Sequence, residues 1–226
     1  NSTLRYSYAR ASLALVKEAV KLRDQGLPIV GFDLAGEVAG YPAVHHKAAF
    51  QCAHSNFLRK TVHAGEAYGP ESIFQAITRL NAERIGHGTS SVQDPRLLEH
   101  LAEHRIPLEV CPTSNVATRV VERLEDHPIR AMRDAGVLVT VHSDDPPMFG
   151  TTLSREYEIA ATLLDLDAAG VAGLALALAR QGLGRVAVSF IGEGGSSLGE
   201  WHEAINACAA ANAHASALFC SSLLTT

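Results

Sequence analysis

Residues 60–66, Lys-Thr-Val-His-Ala-Gly-Glu, place a histidine and a glutamate close together at the end of a short predicted strand. The imidazole of His63 can bind a metal ion or carry a proton, and the carboxylate of Glu66 is a candidate general acid and base. Taken alone, the pair also fits a buried structural histidine followed by a surface glutamate. Its interpretation therefore depends on what the rest of the chain places beside it.

Three other places in the chain offer similar chemistry. Asp144 and Asp145 follow the β-branched run 137–141; they could bind a metal and a substrate, or simply begin a helix. His87 lies between two glycines, which would allow close approach of a ligand but also shape turns. Gly36 could offer its backbone N–H to a substrate, or could be part of an ordinary turn. These residues are candidates for one site, and they could act together only if the fold brings them to the same place.

The other histidines and the cysteines are assigned no chemistry. Five histidines fall on helical or loop segments and are predicted to lie at the surface: His45, His46, His100, His104 and His127. No role is assigned to His142, and Cys111 is predicted to be a core residue at the end of a strand. The four cysteines form no C-x-x-C pair, which is typical of thiols in a reducing compartment. We therefore expect a cytoplasmic protein.

Strand-like and helix-like segments alternate five times along the first two thirds of the chain. Such alternation predicts parallel strands joined by crossover helices. A helix is predicted over residues 4–25, with no strand before it. Polar residues collect where the predicted strands end: Asp33, His63, His87, Thr113 and Asp144. Because this end of a parallel barrel carries the chemistry, the sequence predicts an α/β, barrel-like fold with one polar site.

Length and composition favour one globular domain. The chain has 226 residues, 47% of them hydrophobic, and a formal net charge of −5. We expect a single domain over residues 1–226. The acidic balance and the lack of a basic cluster argue against nucleic acid or an anionic membrane as a partner. No signal peptide or membrane-spanning helix is recognised, since run 168–179 is short and run 208–224 contains polar residues.

The last third of the chain gives weaker patterns. Helices are predicted over residues 153–164 and 167–180. The Gly/Ser-rich segment 182–199 is predicted to be a loop. An Ala-rich helix is predicted over residues 201–224.

Four motifs occur in order along the chain: His-Ala-Gly-Glu (63–66), Glu-Arg-Ile-Gly-His-Gly (83–88), Glu-Val-Cys-Pro-Thr-Ser-Asn (109–115) and Ser-Asp-Asp-Pro (143–146). As a set they closely resemble the adenosine deaminase family, and Gly-Phe-Asp-Leu-Ala-Gly-Glu (31–37) fits the strand before them. The resemblance covers residues 4–166. It implies a metal-dependent (β/α)₈ TIM barrel that hydrolyses adenosine to inosine and ammonia. The Pro-Cys-x-x-Cys signature of the cytidine-deaminase architecture is absent.

The resemblance also implies a role for each candidate residue. His63 and Asp144 would be ligands of one zinc ion. Glu66 would hand a proton to N1 of the purine, and His87 would orient the attacking hydroxide and stabilise its charge. The Gly36 amide and Asp145 would hold the purine ring. The implied partner is a small purine nucleoside.

The chain departs from the family pattern in three places. The family's first barrel strand carries a His-x-His pair that supplies two more zinc ligands, and no His-x-His occurs here. We therefore expect the chain to correspond to about the last five βα units plus C-terminal helices. His142 stands where the family usually has Asn, and segment 181–197 does not follow the family's C-terminal helices. Another 6-aminopurine substrate, such as aminodeoxyfutalosine or adenine, stays open, as does a truncated non-catalytic homologue.

Overall fold

The computed structural model describes residues 2–4, 9–36, 38–165, 187–191 and 215–219. The chain divides into two compact units, residues 1–144 and 145–226. The first unit contains a six-stranded sheet in which every pairing is parallel. Its strands, in sheet and chain order, are β1 (Ser2–Leu4), β2 (Gly31–Ala35), β3 (Arg59–Ala64), β4 (Arg84–His87), β5 (Leu108–Val110) and β6 (Val139–Val141). The predicted parallel α/β architecture is confirmed.

Helices connect the successive strands of this unit. They are α1 (Ala9–Asp24), α2 (Lys47–Ser55), α3 (Pro70–Leu80), α4 (Pro95–Glu103), α5 (Pro112–Ala117) and α6 (Ile129–Asp134). Local sequence explains where α4 begins. Asp94 caps α4, since its Oδ1 accepts hydrogen bonds from the backbone N–H groups of Arg96 and Leu97 at 3.0 and 3.3 Å, and Pro95 occupies the first turn.

Strand β1 was not predicted from the sequence. Residues 2–4 pair in parallel with Asp33–Ala35, and α1 begins at Ala9, so the predicted helix start at residue 4 is wrong. Three residues are too few to display a hydrophobic period. The strand forms because the edge of β2 offers backbone hydrogen-bonding groups that need partners. The described sheet therefore has one strand more than the five predicted.

The two faces of the sheet differ in character. An in-register row of Leu34, Val62, Ile85 and Leu108 lies on one face, and all four side chains are 0% exposed. Since successive side chains alternate between faces, the next row, His63, Gly86, Glu109 and Thr140, lies on the other face. The apolar face is covered by helices, among them α2 and α3, which contact β3. The polar face carries the candidate site.

The second unit contains α7 (Pro146–Phe149), α8 (Leu153–Leu163) and two paired parallel strands, β7 (Ala187–Ile191) and β8 (Ala215–Phe219). Helix α8 confirms the helix predicted over residues 153–164. Strand β7 lies inside the predicted loop 182–199, and β8 lies inside the predicted helix 201–224, so both predictions are wrong over those residues. The Gly/Ser flanks of β7 and the alanines of β8 dominated the sequence pattern, whereas strand pairing overrides such propensities.

The helix predicted over residues 167–180 lies outside the described residues. The prediction of a single domain is not tested by the division into two compact units and stays a prediction. Among the described residues, no helix combines the length and the apolar character that crossing a membrane requires.

Candidate metal centre and catalytic site

Three polar side chains meet where β3, β4 and β6 end. One possible ligand atom from each of His63, His87 and Asp144 lies within 4.8 Å of the others. His87 and Asp144 have φ values of 63° and 53°, in the left-handed region that non-glycine residues rarely adopt. Backbone strain of this kind, about 1–3 kcal/mol per residue, is concentrated at functional sites. The structure thus brings together three residues that the sequence singled out.

His63 is surrounded by negative charge. Its Nδ1 lies 3.6 Å from Oδ1 of Asp33, a residue on the neighbouring strand β2. Burial by itself lowers the pKa of His63, but the contact with Asp33 and the charges of Asp33, Asp144 and Glu66 outweigh it and raise the pKa above its ordinary value. Three carboxylates that stabilise an imidazolium would also attract a divalent cation. The sequence places Asp33 at a strand end but indicates no role for it.

Glu66 lies beside this cluster, with its Oε2 at 3.8 Å from Nε2 of His87. The turn before it is held firmly. Gly65 donates its backbone N–H to Ser72 Oγ at 2.7 Å, and the Gly65 carbonyl accepts a hydrogen bond from Thr89 Oγ1 at 2.7 Å. Gly65 has a φ of +69°, and a Cβ there would lie only 2.7 Å from Cγ1 of Ile73. Glycine is therefore required at this turn, which fixes where Glu66 points.

The glycines on both sides of His87 make room for protein groups. A Cβ on Gly86 would lie 3.1 Å from Cγ and Nδ1 of His63, so this glycine accommodates the His63 ring. Gly88 has a φ of +69°, and a Cβ there would lie 2.7 Å from a methyl group of Leu108. These glycines therefore accommodate His63 and Leu108, and close approach of a ligand to His87 stays a prediction.

His87 is almost fully buried, with 2% of its side chain exposed. Burial and the neighbouring His63 lower the pKa of His87 to about 4, against smaller opposing effects of Asp144 and Asp33. Its Nδ1 lies 3.1 Å from Nδ2 of Asn115, which follows β5. Because an amide NH₂ can only donate, Nδ1 of His87 is the acceptor.

Asp144 is oriented by Ser114, whose Oγ donates a hydrogen bond to Asp144 Oδ2 at 2.7 Å. Ser114 and Asn115 are both buried, at 1% and 0% exposure, and belong to α5. The motif that contains them was recognised in the sequence, but neither residue was assigned a function. The signal that could identify them is their place directly after a strand end, beside Thr113.

Two histidines predicted to lie at the surface are buried. His46 is 1% exposed, and its Nδ1 is 2.7 Å from Ser12 Oγ. His127 is 5% exposed, and its Nε2 is 3.2 Å from Oδ1 of Asn115. The surface prediction for these two histidines is wrong. Their hydrogen-bond partners lie 34 and 12 residues away along the chain. A pattern read from neighbouring residues could not reveal those partners.

The remaining candidates take separate positions. Gly36 directly follows β2 and has a φ of +98°. Asp145 precedes α7 in the second unit and makes no side-chain capping hydrogen bond to that helix. His142 is half-buried, with its Nε2 2.8 Å from Thr140 Oγ1, and burial lowers its pKa. Cys111 is buried, as predicted.

A cavity of about 300 Å³ lies beside Glu66. Its walls include Glu66, Ser90, Gln93 and Glu122. The Oγ of Ser90 is buried and has no hydrogen-bond partner among the described residues. The cavity therefore offers space and polar groups next to Glu66.

The donor set suits a metal ion. Imidazole nitrogens and carboxylate oxygens are the usual ligands of catalytic zinc, and His63, His87 and Asp144 provide both kinds within a short distance of one another. The surrounding carboxylates favour a cation, as the raised pKa of His63 shows. The described part of the chain thus contains a possible His/Asp metal site.

Comparisons with known sequences agree with this chemistry. The sequence profile of the adenosine deaminase family matches residues 2–185. An aminodeoxyfutalosine deaminase of Streptomyces avermitilis is 60% identical over 155 residues, which are 69% of this chain and 43% of that protein. An adenosine deaminase of Pectobacterium atrosepticum is 46% identical over 155 residues, or 69% of this chain and 46% of that protein. The chain therefore spans less than half the length of these two relatives.

Solved structures show the same fold. An adenine deaminase from Arthrobacter aurescens matches with a TM-score of 0.71 and 29% identity, over 91% of this chain and 59% of that one. Arabidopsis ADAL in complex with IMP matches with a TM-score of 0.68 and 31% identity, over 78% of this chain and 51% of that one. An amidohydrolase from Burkhoderia ambifaria with bound Zn shares the fold, with a TM-score of 0.69 and 23% identity, over 77% of this chain and 49% of that one.

The family profile covers most of the chain, and all four motifs lie within the region it matches. The parallel sheet and the cluster at its strand ends agree with that match. The chain belongs to the adenosine deaminase family.

Proposed function

We propose that the protein containing this chain is a metal-dependent hydrolase that removes the 6-amino group of a purine nucleoside and releases ammonia. The observation that carries the proposal is the cluster of His63, His87 and Asp144 with atoms within 4.8 Å of one another, and Glu66 beside it. A carboxylate, an imidazole and a metal-binding pair at one sheet edge are the groups that such a hydrolysis uses. Membership of the family supports the same reaction.

Zinc is the metal we propose, held in this chain by His63 and Asp144. When bound, zinc supplies a hydroxide nucleophile near neutral pH and polarises the reacting centre. Asp33 and Ser114 would orient the two ligands, because each contacts one of them. A catalytic zinc site has at least three protein ligands, so His63 and Asp144 would need at least one further ligand.

Glu66 is proposed as the group that moves protons. Its carboxylate is only 15% exposed and is fixed by the glycine turn before it, so it can hold a proton for delivery to N1 of the purine. His87 would orient the attacking oxygen through its ring N–H. The Gly36 amide and Asp145 are proposed, from the family resemblance, to hold the purine ring.

The substrate is proposed to be adenosine or another 6-aminopurine, such as aminodeoxyfutalosine or adenine. The match to an adenosine deaminase supports adenosine, whereas the higher identity to an aminodeoxyfutalosine deaminase favours aminodeoxyfutalosine. Adenine is a third candidate, because an adenine deaminase shares the fold at 29% identity. The three compounds share the 6-aminopurine and differ in what is attached to it.

The test is to incubate the purified protein with each of the three compounds and to follow deamination by ultraviolet absorbance and ammonia release. We expect one compound to be turned over with the highest kcat/KM. Removal of metal with a chelator should abolish the activity, and added zinc should restore it. Absence of turnover with all three compounds, in a folded and zinc-loaded protein, would favour the non-catalytic homologue.

A cytoplasmic location and a small-molecule partner complete the proposal. The location rests on the pattern of cysteines without C-x-x-C pairing. Cell fractionation tests it directly. Recovery of the protein in an extracellular fraction would contradict it.

A further inference from the structure

A line of four buried groups leads from the backbone to the catalytic cluster. The N–H of Ile129 donates to Nδ1 of His127 at 3.2 Å. Nε2 of His127 lies 3.2 Å from Oδ1 of Asn115, and Nδ2 of Asn115 lies 3.1 Å from Nδ1 of His87. The three side chains are 5%, 0% and 2% exposed, so water cannot readily replace any link.

The direction of every hydrogen bond in this line follows from its first member. A backbone N–H can only donate, so Nδ1 of His127 must be an acceptor and carry no proton. Neutral His127 then carries its proton on Nε2 and donates it to Asn115. Burial also lowers the pKa of His127 to about 4, which agrees with a neutral ring. Asn115 therefore points its oxygen at His127 and its NH₂ at His87.

The hydrogen bond between Asn115 and His87 determines the tautomer of His87. Its Nδ1 receives a hydrogen bond from the Asn115 amide, so a proton on Nδ1 would face another donor at 3.1 Å. The single proton of neutral His87 must then lie on Nε2, the atom that faces Glu66 at 3.8 Å. An Nε2 that carries a proton has no lone pair for a metal ion.

We propose that His127, acting through Asn115, is a positioning residue that fixes His87 in the Nε2–H tautomer, so that His87 presents a hydrogen-bond donor to the reacting centre and is not a metal ligand. The distances of the cluster alone would allow His87 to be a third metal ligand. The hydrogen-bond line instead makes it a hydrogen-bond donor. The tautomer follows from these contacts alone. Its catalytic consequence rests on the proposed function.

The tautomer can be measured without activity. Long-range ¹H–¹⁵N correlation spectra of the metal-free protein, labelled at histidine nitrogens, distinguish Nε2–H from Nδ1–H imidazoles at pH 7.5. We expect the Nε2–H pattern for both His87 and His127. An Nδ1–H pattern for His87 would overturn the proposal, whatever the enzyme's activity.

Two variants separate positioning from packing. Glutamine at residue 127 (His127→Gln) keeps one donor and one acceptor, whereas His127→Leu removes both. We expect His127→Leu to lose the pure Nε2–H pattern of His87 and to lower kcat by about 10- to 100-fold, as loss of an outer hydrogen-bond partner does, with little change in KM. His127→Gln should retain the pattern and most of kcat.

A matched control is His46→Gln. His46 is another buried histidine, whose Nδ1 lies 2.7 Å from Ser12 Oγ, and it is not a member of the line from Ile129 to His87. It should leave the His87 spectrum and kcat unchanged. If His127→Leu does not fold, the spectra of the wild type and of His127→Gln still test the proposal. Loss of the Nε2–H pattern of His87 in His127→Gln would contradict the positioning role. Equal kcat for wild type and a folded His127→Leu would contradict it too. An inactive wild type with the expected spectrum would refute the proposed function and leave the tautomer assignment standing.

Discussion

The substitution Gly86→Ala tests whether the position of the His63 ring controls metal binding. Gly86 pairs in register with His63 on the neighbouring strand, and both residues face the polar side of the sheet. The backbone of Gly86 is not in the left-handed region. The backbone can therefore keep its conformation when residue 86 is alanine. Any effect of the substitution should come from the contact between the added methyl group and the imidazole of His63.

The expected displacement can be taken from the structure. The methyl carbon would lie 3.1 Å from two atoms of the His63 ring, whereas ordinary van der Waals contact begins at 3.4 Å. The ring would have to move by about 0.3 Å, which exceeds the roughly 0.2 Å tolerance of a metal–ligand distance. We expect the zinc dissociation constant to rise by about 10- to 100-fold, equivalent to about 1.4–2.7 kcal/mol.

The assay is competition for zinc with a chromophoric chelator, together with circular dichroism and a thermal melt. Gly69→Ala is the matched control, because its new Cβ would meet only Gln93 Oε1, at 3.9 Å. We expect Gly69→Ala to bind zinc like the wild type. An unchanged zinc affinity in a folded Gly86→Ala protein would refute the reasoning, as would an equal loss in both variants.

Three other variants follow from individual contacts. Asp144→Ala should lose bound metal while the protein stays folded, because it removes a proposed ligand; metal analysis after dialysis measures this. Gly65→Ala should lower the free energy of unfolding by about 2–5 kcal/mol in denaturant titrations, since a positive φ costs about 1–2 and overpacking about 1–3 kcal/mol. Glu83 has a lowered pKa because ion pairs with Lys60 and Arg59 outweigh its burial. It therefore stabilises the fold above its unfolded-state pKa, and this stabilisation is lost as the pH falls through the folded-state pKa. Glu83→Gln should flatten the dependence of unfolding free energy on pH in that acidic range.

Each of these has a result that contradicts it. Asp144→Ala with a full complement of metal would remove Asp144 from the ligand set. Gly65→Ala with wild-type stability would show that the turn relaxes freely. For Glu83, the control is Glu18→Gln, because Glu18 pairs with Lys21 at the exposed surface and such pairs contribute little. Equal pH dependence of the unfolding free energy in the two variants would contradict the assignment of this stabilisation to Glu83.

The sequence predicted the parts of the site that lie at strand ends. His63, His87 and Asp144 follow apolar runs, and parallel strands bring their carboxyl ends to one edge, so their meeting could be inferred. The residues that support them could not. Ser114 and Asn115 are ordinary polar residues by pattern, and their importance comes from Asp144 and His87, which are 30 and 28 residues away.

The errors in the fold have a similar origin. Strand β1 exists because β2 has an edge to pair with, and β8 forms from an Ala-rich segment because β7 lies beside it. Neither partner is visible in the local sequence. His127 was placed at the surface for the same reason, although its contact with Asn115 gives it the positioning role proposed above.

The most direct test of the central claim is to measure zinc content and deamination together in the wild-type protein and in Glu66→Gln. Glutamine has nearly the same shape as glutamate but cannot carry the proton, so zinc should stay bound while kcat falls by at least about 100-fold. Glu122→Gln, on the wall of the same cavity, should retain both zinc and turnover. Wild-type turnover in Glu66→Gln with zinc bound would contradict the account, because the group that is proposed to move the proton would not be needed.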